Sequence, residues 1–387
     1  MTVRRLRDHA TTIFSEVSQR ATRHGAVNLG QGFPDTDGPA SMIEAAARAM
    51  RQGHNQYPPG TGVPELRHAI ADLTAAQTGL VRDPDTEVLV TVGATEAIAG
   101  AVVGLVEPDD EVVVIEPYYD SYAATVAMAG ATRRAARMVR SGDRHRLDVD
   151  SLRAAFSPRT RAVLVNTPHN PTGAVLPRED LAEIAALCHE FDAIAISDEV
   201  YEHLTFDGVE HVSIATLPGM AERTLRISSA GKMLSCTGWK VGWVTGPADL
   251  VAGVRTAKQY MSYAGGTPLQ LGVAHALRHE QEWIDTLRHS LQARRDQLAE
   301  ILSGVGLDLV VVTEGTYFLT ADPRPLGVTD AAAWCLGLPE RIGVAAVPFA
   351  PFTDVYSGDW SHLVRFAFCK RPEVLDEAGR RLRALVG

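Results

Sequence analysis

The sequence predicts an α/β fold in which a mainly parallel sheet is flanked by helices and joined to a smaller α+β domain. Short apolar runs rich in β-branched residues alternate with amphipathic stretches, and each crossover is long enough to hold a helix. The runs are apolar throughout, which is typical of strands buried on both faces. After about residue 267 long charged helices and short strands predict the second domain.

Six apolar runs predict the strands of the large sheet. Each is bounded by polar or glycine-containing loops, and together they supply the β part of a repeated strand–helix pattern. The predicted strands are residues 87–92, 111–116, 161–166, 192–197, 223–228 and 240–245.

The helices between these strands are predicted at 95–106, 121–129 and 177–190. In the last of them Pro177 suits the first helical position, and acidic residues fill the first turn, where the helix dipole favours them. The smaller domain has predicted helices at 281–302 and 371–385 and strands at 316–319 and 363–368. We expect an N-terminal arm that also contributes to the small domain, a large domain and a small C-terminal domain, at residues 1–39, 40–275 and 276–387.

Composition excludes several classes of protein. Of the 387 residues 45% are hydrophobic and 22% charged, as in ordinary globular proteins, and the net charge of −10 argues against nucleic-acid binding. Four dispersed cysteines without a CxxC pair indicate reduced thiols, with neither a zinc site nor a disulfide framework. Because the sequence also lacks a signal-peptide pattern and a run of about 18 apolar residues, we expect a cytoplasmic protein that binds no membrane and no metal.

Reactive side chains follow the predicted strands, at the sheet edge where open α/β folds bind ligands. Lys232 follows the 223–228 run among small residues, where burial would lower the pKa of its amine and favour attack on an aldehyde. Asp198 ends another run and needs a cation or hydrogen-bond donor, with Tyr201 three residues later. Each alone has an ordinary structural explanation: a solvated lysine, a helix cap, a packed aromatic. Their combination predicts a site.

The segment 91–96, TVGATE, is predicted to turn from a strand into a helix through small residues. Free backbone N–H groups and the positive end of the helix dipole at such a turn suit a phosphate, although many such turns bind no ligand. Neither GxxxxGK[ST] nor a GxGxxG after a strand is present, which disfavours a P-loop enzyme or a dinucleotide-dependent oxidoreductase.

Three segments in this order resemble the class I and II aminotransferases of fold type I: NTPHNPTG at 166–173, SDEVY at 197–201 and SSAGKMLSCTGWKVGW at 228–243. The resemblance extends from NLGQGFP at 28–34 to RFAF at 365–368. It implies an aspartate-aminotransferase-like fold, pyridoxal 5′-phosphate as cofactor, and ping-pong transfer of an amino group between an amino acid, glutamate foremost, and a 2-oxo acid or aldehyde. Within the family the sequence is most similar to the branch of N-succinyldiaminopimelate aminotransferases and kynurenine or glutamine transaminases.

The resemblance also implies a role for each matching residue. Lys232 would carry the cofactor as a Schiff base and act in catalysis. Lys240 stands where many members have arginine, so phosphate recognition there is expected to be less directional. The other implied cofactor contacts are Asp198 at the pyridine nitrogen, Asn170 and Tyr201 at the 3′-oxygen, Tyr119 stacked on the ring, and Ala94, Thr95, Ser229, Lys240 and the partner subunit's Tyr57 at the phosphate.

Substrate binding is implied for three residues. Arg365 would clamp the α-carboxylate with a bidentate pair, Gly32 would leave room for the substrate, and Asn170 would contact both substrate and cofactor. The contribution of Tyr57 implies a homodimer with shared active sites. For the side chains that select the substrate we expect His54, Tyr57, Tyr118 and residues 261–263, although surface or interface packing would explain them equally well.

Two other activities are compatible with the same fold. A cysteine-conjugate β-lyase would use the same groups but eliminate a β-substituent. A non-catalytic regulator that senses the cofactor would need a fused DNA-binding domain, yet only about thirty residues precede the matching region of this acidic chain. We therefore expect an enzyme.

Overall fold

A computed structural model of the chain describes residues 2–9 and 12–386. The strands, in chain order, are β1 (Val27–Asn28), β2 (Val88–Val92), β3 (Glu111–Glu116), β4 (Thr132–Ser141), β5 (Arg144–Leu147), β6 (Thr160–Asn166), β7 (Ile194–Asp198), β8 (Thr224–Ser229), β9 (Val241–Thr245), β10 (Asp308–Leu309), β11 (Phe318–Asp322), β12 (Val344–Ala345), β13 (Val347–Pro348) and β14 (Val364–Ala367). The α-helices are α1 (Ile13–Arg23), α2 (Ala40–Arg51), α3 (Pro64–Thr78), α4 (Gly93–Leu105), α5 (Ser121–Ala129), α6 (Val149–Ala155), α7 (Arg178–Glu190), α8 (Ala230–Met233), α9 (Ala248–Lys258), α10 (Thr267–His279), α11 (Gln281–Gly304), α12 (Ala331–Ile342), α13 (Ser357–Trp360) and α14 (Pro372–Leu382).

The large sheet, within the described residues, has eight strands in the order β2-β9-β8-β7-β6-β3-β4-β5. Strands β8, β7, β6, β3 and β4 pair in parallel, whereas β9 runs antiparallel to both of its neighbours. The prediction of a mainly parallel sheet is therefore confirmed. All six predicted strands are present, and their ends differ from the predicted ones by two residues at most.

The edge formed by β4 and β5 is missing from the sequence prediction. These strands pair antiparallel, and β4 is TRRAARMVRS, with four arginines and mostly half-exposed positions. A strand with one solvated side carries no continuous apolar run, so a pattern of continuous apolar residues does not indicate it.

Two layers of helices cover the two faces of the sheet. The side chains of β3 alternate between them: Val112 and Val114 pack in one apolar core with α4 and α9, and Val113 and Ile115 pack in another with α6 and α7. This period of two is the strand geometry, and it explains why the run is apolar throughout. Both faces are buried, so apolar side chains fill the middle of the strand.

The C-terminal part contains a second sheet, which is antiparallel and has the strand order β10-β11-β14-β13. Strand β1 pairs with β12, so the N-terminal segment is bound to this part of the molecule. That pairing agrees with the expectation that residues 1–39 contribute to the small domain. The domain boundaries remain predictions, and the one at 275/276 falls inside α10. None of the described residues belongs to a helix that is long and apolar enough to cross a membrane.

Candidate active site

A cavity of about 450 Å³ lies at the carboxyl ends of the parallel strands, where the α/β rule places ligands. Side chains from β14 and from the N-terminal segment close its other side. The predicted site residues that line it are Gly32, Ala94, Thr95, Tyr119, Asn170, Asp198, Tyr201, Ser229, Lys232, Lys240 and Arg365.

Lys232 lies on the short helix α8, directly after β8, rather than in a loop. Its Nζ donates hydrogen bonds to the Tyr317 hydroxyl at 2.7 Å and to the Gly32 carbonyl at 3.4 Å. Burial lowers the pKa of this amine to about 8, because the charged form loses its hydration. A useful fraction of the amine is therefore neutral near pH 8 and able to attack an aldehyde.

Asp198 ends β7 and is 5% exposed. Its carboxylate accepts a 2.6 Å hydrogen bond from the Tyr122 hydroxyl and a 3.4 Å bond from the Val200 N–H. Burial raises the pKa of Asp198 to about 6, although these donors and the charge of Lys232 act in the opposite direction. A buried carboxylate with so few donors suits a cationic partner such as a protonated ring nitrogen.

Asn170 connects the strand ends to Arg365. Its backbone N–H donates to Asn166 Oδ1 at 2.8 Å, and Asn166 Nδ2 in turn donates to the Asp198 carbonyl at 2.9 Å. The Asn170 Oδ1 atom accepts from Arg365 Nη1 at 2.6 Å. The Nδ2 group donates to none of the described residues, so it is free for a ligand acceptor, as the predicted role requires.

The aromatic side chains of the site are Tyr119 and Tyr201. Burial raises the pKa of Tyr119 to about 12 and that of Tyr201 further, so both phenols are neutral hydrogen-bond donors at physiological pH. Tyr201 packs edge-on against Tyr317 and Phe318, with ring centroids 5.2 and 6.1 Å apart. These contacts fix its ring beside Lys232, whose Nζ lies 5.5 Å from the ring centroid.

The opposite end of the cavity is formed by the first turn of α4, by Ser229 and by Lys240. Gly93 begins α4 with φ +74°, and a Cβ there would lie 3.0 Å from Lys240 Nζ. Glycine thus lets the lysine cation approach the N–H groups of Ala94 and Thr95. A cation, a hydroxyl and a helix N-terminus together have the chemistry that suits a dianionic phosphate.

Arg365 lies on β14 and is 1% exposed. Its guanidinium carbon is 3.9 Å from the ring centroid of Phe318 and 5.0 Å from that of Phe352. One Nη donates to Asn170 and the other to the Gly30 carbonyl at 2.9 Å, while the buried Nε has no acceptor among the described residues. Burial lowers its pKa to about 10, so the group is still a cation that can bind a carboxylate.

Gly32 is explained by packing. A Cβ there would lie 2.6 Å from Phe318 Cζ and 2.7 Å from a ring carbon of Tyr317. Both rings are buried, so no side chain would fit without moving them. The sequence suggested that glycine at position 32 leaves room for the substrate. The structure shows in addition that the backbone at this position lies close to the two rings.

Tyr57 does not line the cavity. Its side chain is 83% exposed on the single chain, next to Tyr263, with ring centroids 5.7 Å apart. Of the expected specificity residues, Tyr118 lines a neighbouring cavity, while His54 lies at the surface.

A buried polar network lies behind Asp198. Burial alone would raise the pKa of Glu199, but Arg226 and His211 lower it to about 2. Arg226 Nε donates to Glu199 at 2.6 Å, and its Nη2 donates to Glu202. Glu199, Glu202 and His211 lie close enough to ligate a metal, yet the Arg226 guanidinium already pairs with both carboxylates. The network anchors the segment that presents Asp198 and Tyr201.

The sequence did not reveal several residues of the site. Tyr122 binds Asp198 from α5, and its only sequence signal was its place shortly after a predicted strand. Phe318 begins β11 of the second sheet and Tyr317 directly precedes it, so the strand-end rule for the large sheet finds neither residue. Nothing local in their sequence indicates that they face Lys232 and Arg365.

Comparisons with known proteins agree with this geometry. The family described as aminotransferase class I and II matches residues 24–382. A Mycobacterium tuberculosis protein named probable N-succinyldiaminopimelate aminotransferase is 57% identical over 392 residues, which cover 100% of this chain and 98% of the relative. The methionine aminotransferase of Escherichia coli is 40% identical over 376 residues, with coverage of 97% and 96%.

The fold is also similar to that of solved structures. The N-succinyldiaminopimelate aminotransferase of Mycobacterium tuberculosis superposes with a TM-score of 0.98 over 100% of both chains, at 57% identity. An aspartate aminotransferase variant from Thermus thermophilus has a TM-score of 0.90 at 32% identity, over 100% of this chain and 99% of the other. The predicted aspartate-aminotransferase-like fold and the predicted activity class are thereby confirmed. The chain belongs to the class I and II aminotransferase family and is an aminotransferase.

Proposed function

We propose that the protein is a pyridoxal 5′-phosphate-dependent aminotransferase that exchanges an amino group between N-succinyldiaminopimelate and the glutamate/2-oxoglutarate pair. The observation that carries the cofactor assignment is the placement of a buried lysine amine, a buried carboxylate and a phosphate-type site around one cavity. The substrate assignment comes from the relative of that name, which is 57% identical over the whole chain.

The residues of the cavity fit this cofactor. Lys232 would hold the aldehyde carbon as a Schiff base, and Asp198 would face the ring nitrogen. Tyr119 would lie against the ring, with Tyr201 and the Nδ2 group of Asn170 as donors to the ring oxygen. The phosphate would be bound by the amides of Ala94 and Thr95 and by the side chains of Ser229 and Lys240.

When bound, pyridoxal phosphate supplies an aldehyde for the substrate amine and a cationic ring that withdraws electrons from Cα. Asp198 keeps the ring nitrogen protonated. Lys232 Nζ, once released, would take the proton from the substrate Cα and hold it for return within the cavity. Its lowered pKa of about 8 suits both directions of this transfer.

Arg365 is the proposed partner of the substrate α-carboxylate. Its unpaired, buried Nε indicates that an acceptor belongs there, since such a group is costly to leave without one. The aromatic rings around the guanidinium hold its plane fixed, which favours a planar carboxylate.

A long substrate has room beyond this clamp. A second cavity of about 660 Å³ shares Thr12, Tyr119 and Asp120 with the first and extends towards Arg133. We propose that the distal part of N-succinyldiaminopimelate occupies it, because the shared residues join the two spaces at the substrate end.

A homodimer with shared sites completes the proposal. Buried Lys258 donates to the carbonyls of Gly60 at 3.1 Å and Tyr263 at 2.5 Å, which ties two surface loops together. These loops present an exposed aromatic patch, formed by Tyr57, Tyr260, Met261 and Tyr263. An apolar patch of this kind is typical of an interface. The cytoplasmic location inferred from the cysteines stays a prediction.

The test uses the visible absorbance of the purified protein. We expect a band that shifts with pH, is bleached by glutamate or N-succinyldiaminopimelate, and is absent in Lys232→Ala. A screen of amino donors with 2-oxoglutarate, including kynurenine, glutamine and methionine, then ranks kcat/KM values. A higher value for kynurenine would overturn the substrate assignment, and pyruvate and ammonia release without transfer would indicate a β-lyase instead.

A further inference from the structure

The hydroxyl of Tyr317 is the nearest hydrogen-bond partner of the Lys232 amine. It accepts from Lys232 Nζ at 2.7 Å and donates to the Gly32 carbonyl. The same carbonyl accepts from Nζ at 3.4 Å. Amine, phenol and carbonyl thus form a closed triangle at the cavity wall. Burial raises the pKa of Tyr317, so the phenol keeps its proton.

The position of this hydroxyl is fixed from two sides. The Tyr317 ring is 1% exposed and packs edge-on against Tyr201 and Phe318, with ring centroids 5.2 and 4.9 Å apart. On the other side its ring leaves no room for a Cβ at residue 32. The backbone carbonyl of Gly32 therefore reaches the phenol directly and orients its O–H bond.

A phenol that donates its only proton to a carbonyl can only accept from the lysine. Two acceptors, the phenol oxygen and the Gly32 carbonyl, then face Nζ. They stabilise the ammonium form, against the desolvation that favours the neutral amine. The amine is also held in one place, which matters for a group that must leave one carbon and return to another.

We propose that Tyr317 is a positioning residue for Lys232: its hydroxyl, oriented by the Gly32 carbonyl, docks the lysine amine whenever that amine is not bonded to the cofactor. This inference rests on the proposed function, in which Lys232 is anchor and proton carrier. It goes further by assigning the resting place of the released amine to Tyr317, the residue directly before β11. Schiff-base formation joins Nζ to the aldehyde carbon and releases water, so the amine must leave this dock each time it bonds.

The first test measures the acidity of the amine in the full-length protein after removal of the cofactor. The chain has four lysines, at 232, 240, 258 and 370, so acetylation of Lys232 can be followed by peptide mass spectrometry between pH 6 and pH 11. The wild-type midpoint is expected near pH 8. In Tyr317→Phe it should fall by about one pH unit, because one acceptor for the ammonium is lost while its burial remains.

Tyr356→Phe is the matched control. It also removes one tyrosine hydroxyl, which lies 3.1 Å from Ser151 Oγ and does not contact Lys232. Its midpoint should equal that of the wild type. Equal midpoints in wild type and Tyr317→Phe would overturn the proposal.

A second test does not depend on a variant. A crystal structure of the wild-type enzyme with pyridoxamine 5′-phosphate, in which Lys232 is free, should place Nζ within about 3.2 Å of the Tyr317 oxygen. A distance beyond hydrogen-bonding range, with Nζ on another acceptor, would overturn the docking role even if Tyr317→Phe failed to fold.

Turnover provides the functional readout. In Tyr317→Phe we expect kcat to fall about tenfold with KM for the amino donor little changed, and the deuterium isotope effect at Cα to increase, because proton transfer by a poorly placed amine becomes limiting. If Lys232→Ala kept wild-type amino transfer, the proposed function itself would fail. If that transfer is lost but Tyr317→Phe behaves like wild type, only the docking role fails.

Discussion

At the scale of single residues, burial moves two pKa values of the cavity towards each other. The amine of Lys232 falls to about 8 and the carboxyl of Asp198 rises to about 6, each mainly through desolvation. Both shifts lower the folding stability but make the groups reactive, since the amine becomes a nucleophile and the carboxylate a strong partner for a cation. Replacing either residue should therefore raise stability and reduce activity.

Asp198→Asn should make the cofactor-free protein more stable at pH 8. Because the folded-state pKa is about 6 and the ordinary value 3.8, the folded chain binds more protons between these values, and stability falls as the pH rises through that window. The amide avoids this loss, on the order of 3 kcal/mol. Thermal unfolding should show a higher Tm at pH 8 and a smaller gain near pH 5. The affinity for the cofactor should fall. An increase in Tm that is the same at pH 5 and pH 8 would contradict the raised pKa of Asp198.

Arg365→Lys should lower kcat/KM for the amino donor about 100-fold, because an ammonium cannot reproduce a planar pair or stack between aromatic rings. Steady-state kinetics measures this, and absorbance titration should show nearly unchanged cofactor binding. Arg380→Lys, at an exposed arginine paired with Glu377, serves as the control and should behave like the wild type. If the affinity for the cofactor fell as much as kcat/KM, Arg365 would be a cofactor-binding residue and not the partner of the substrate carboxylate.

At the scale of elements, the junction of β2 and α4 forms the proposed phosphate site. Gly93 has φ +74°, a conformation that costs other residues free energy, and its missing Cβ leaves room for Lys240. Lys240 itself has φ +53°, directly before β9. Two left-handed residues thus bring a helix N-terminus and a cation together.

Gly93→Ala should weaken cofactor affinity at least tenfold, since the new methyl group displaces Lys240 Nζ. Gly142→Ala is a matched control, because Gly142 has φ +64° and nothing within 4 Å of an added Cβ. Both variants should lose about 1 kcal/mol of unfolding free energy from the backbone conformation. Only Gly93→Ala should require more pyridoxal phosphate for half-saturation in an absorbance titration; equal affinities would exclude a role for this junction in phosphate binding.

At the scale of the whole molecule, the aromatic patch on the paired loops predicts that two chains share their sites. Sedimentation should give twice the chain mass of 41.7 kDa. An interface at this patch would explain why the exposed Tyr57 lies outside its own cavity.

Complementation tests the shared sites. Tyr57→Ala and Lys232→Ala should each be nearly inactive as pure dimers. After unfolding and refolding together, about half of the dimers should be mixed, each with one intact site, which gives about a quarter of wild-type activity. The control is a mixture of Lys232→Ala and Asp198→Ala chains, refolded in the same way. Each of these substitutions damages the site of the chain that carries it, so a mixed dimer has one site without the lysine and one without the aspartate. This mixture should stay inactive. Activity that stays at the level of the pure variants would contradict a contribution of Tyr57 across the interface.

Much of the fold was predictable because its signals are local. Strands buried on both faces need continuous apolar runs, so all six were found within two residues of their ends. Strand β4 was missed because its solvated side interrupts the run with arginine. The specific order of strands, with β9 antiparallel, depends on long-range pairing that no local run encodes.

The sequence by itself determined the sheet, the family resemblance and the residues at the strand ends, since each follows from local pattern and from the rule that ligands bind beyond the carboxyl ends of strands. The tertiary structure alone decided what surrounds them. Tyr122 on Asp198, Tyr317 on Lys232 and Phe318 on Arg365 come from distant parts of the chain. Such contacts depend on how helices and sheets pack, and that packing sets burial, and with it the pKa values on which the chemistry depends.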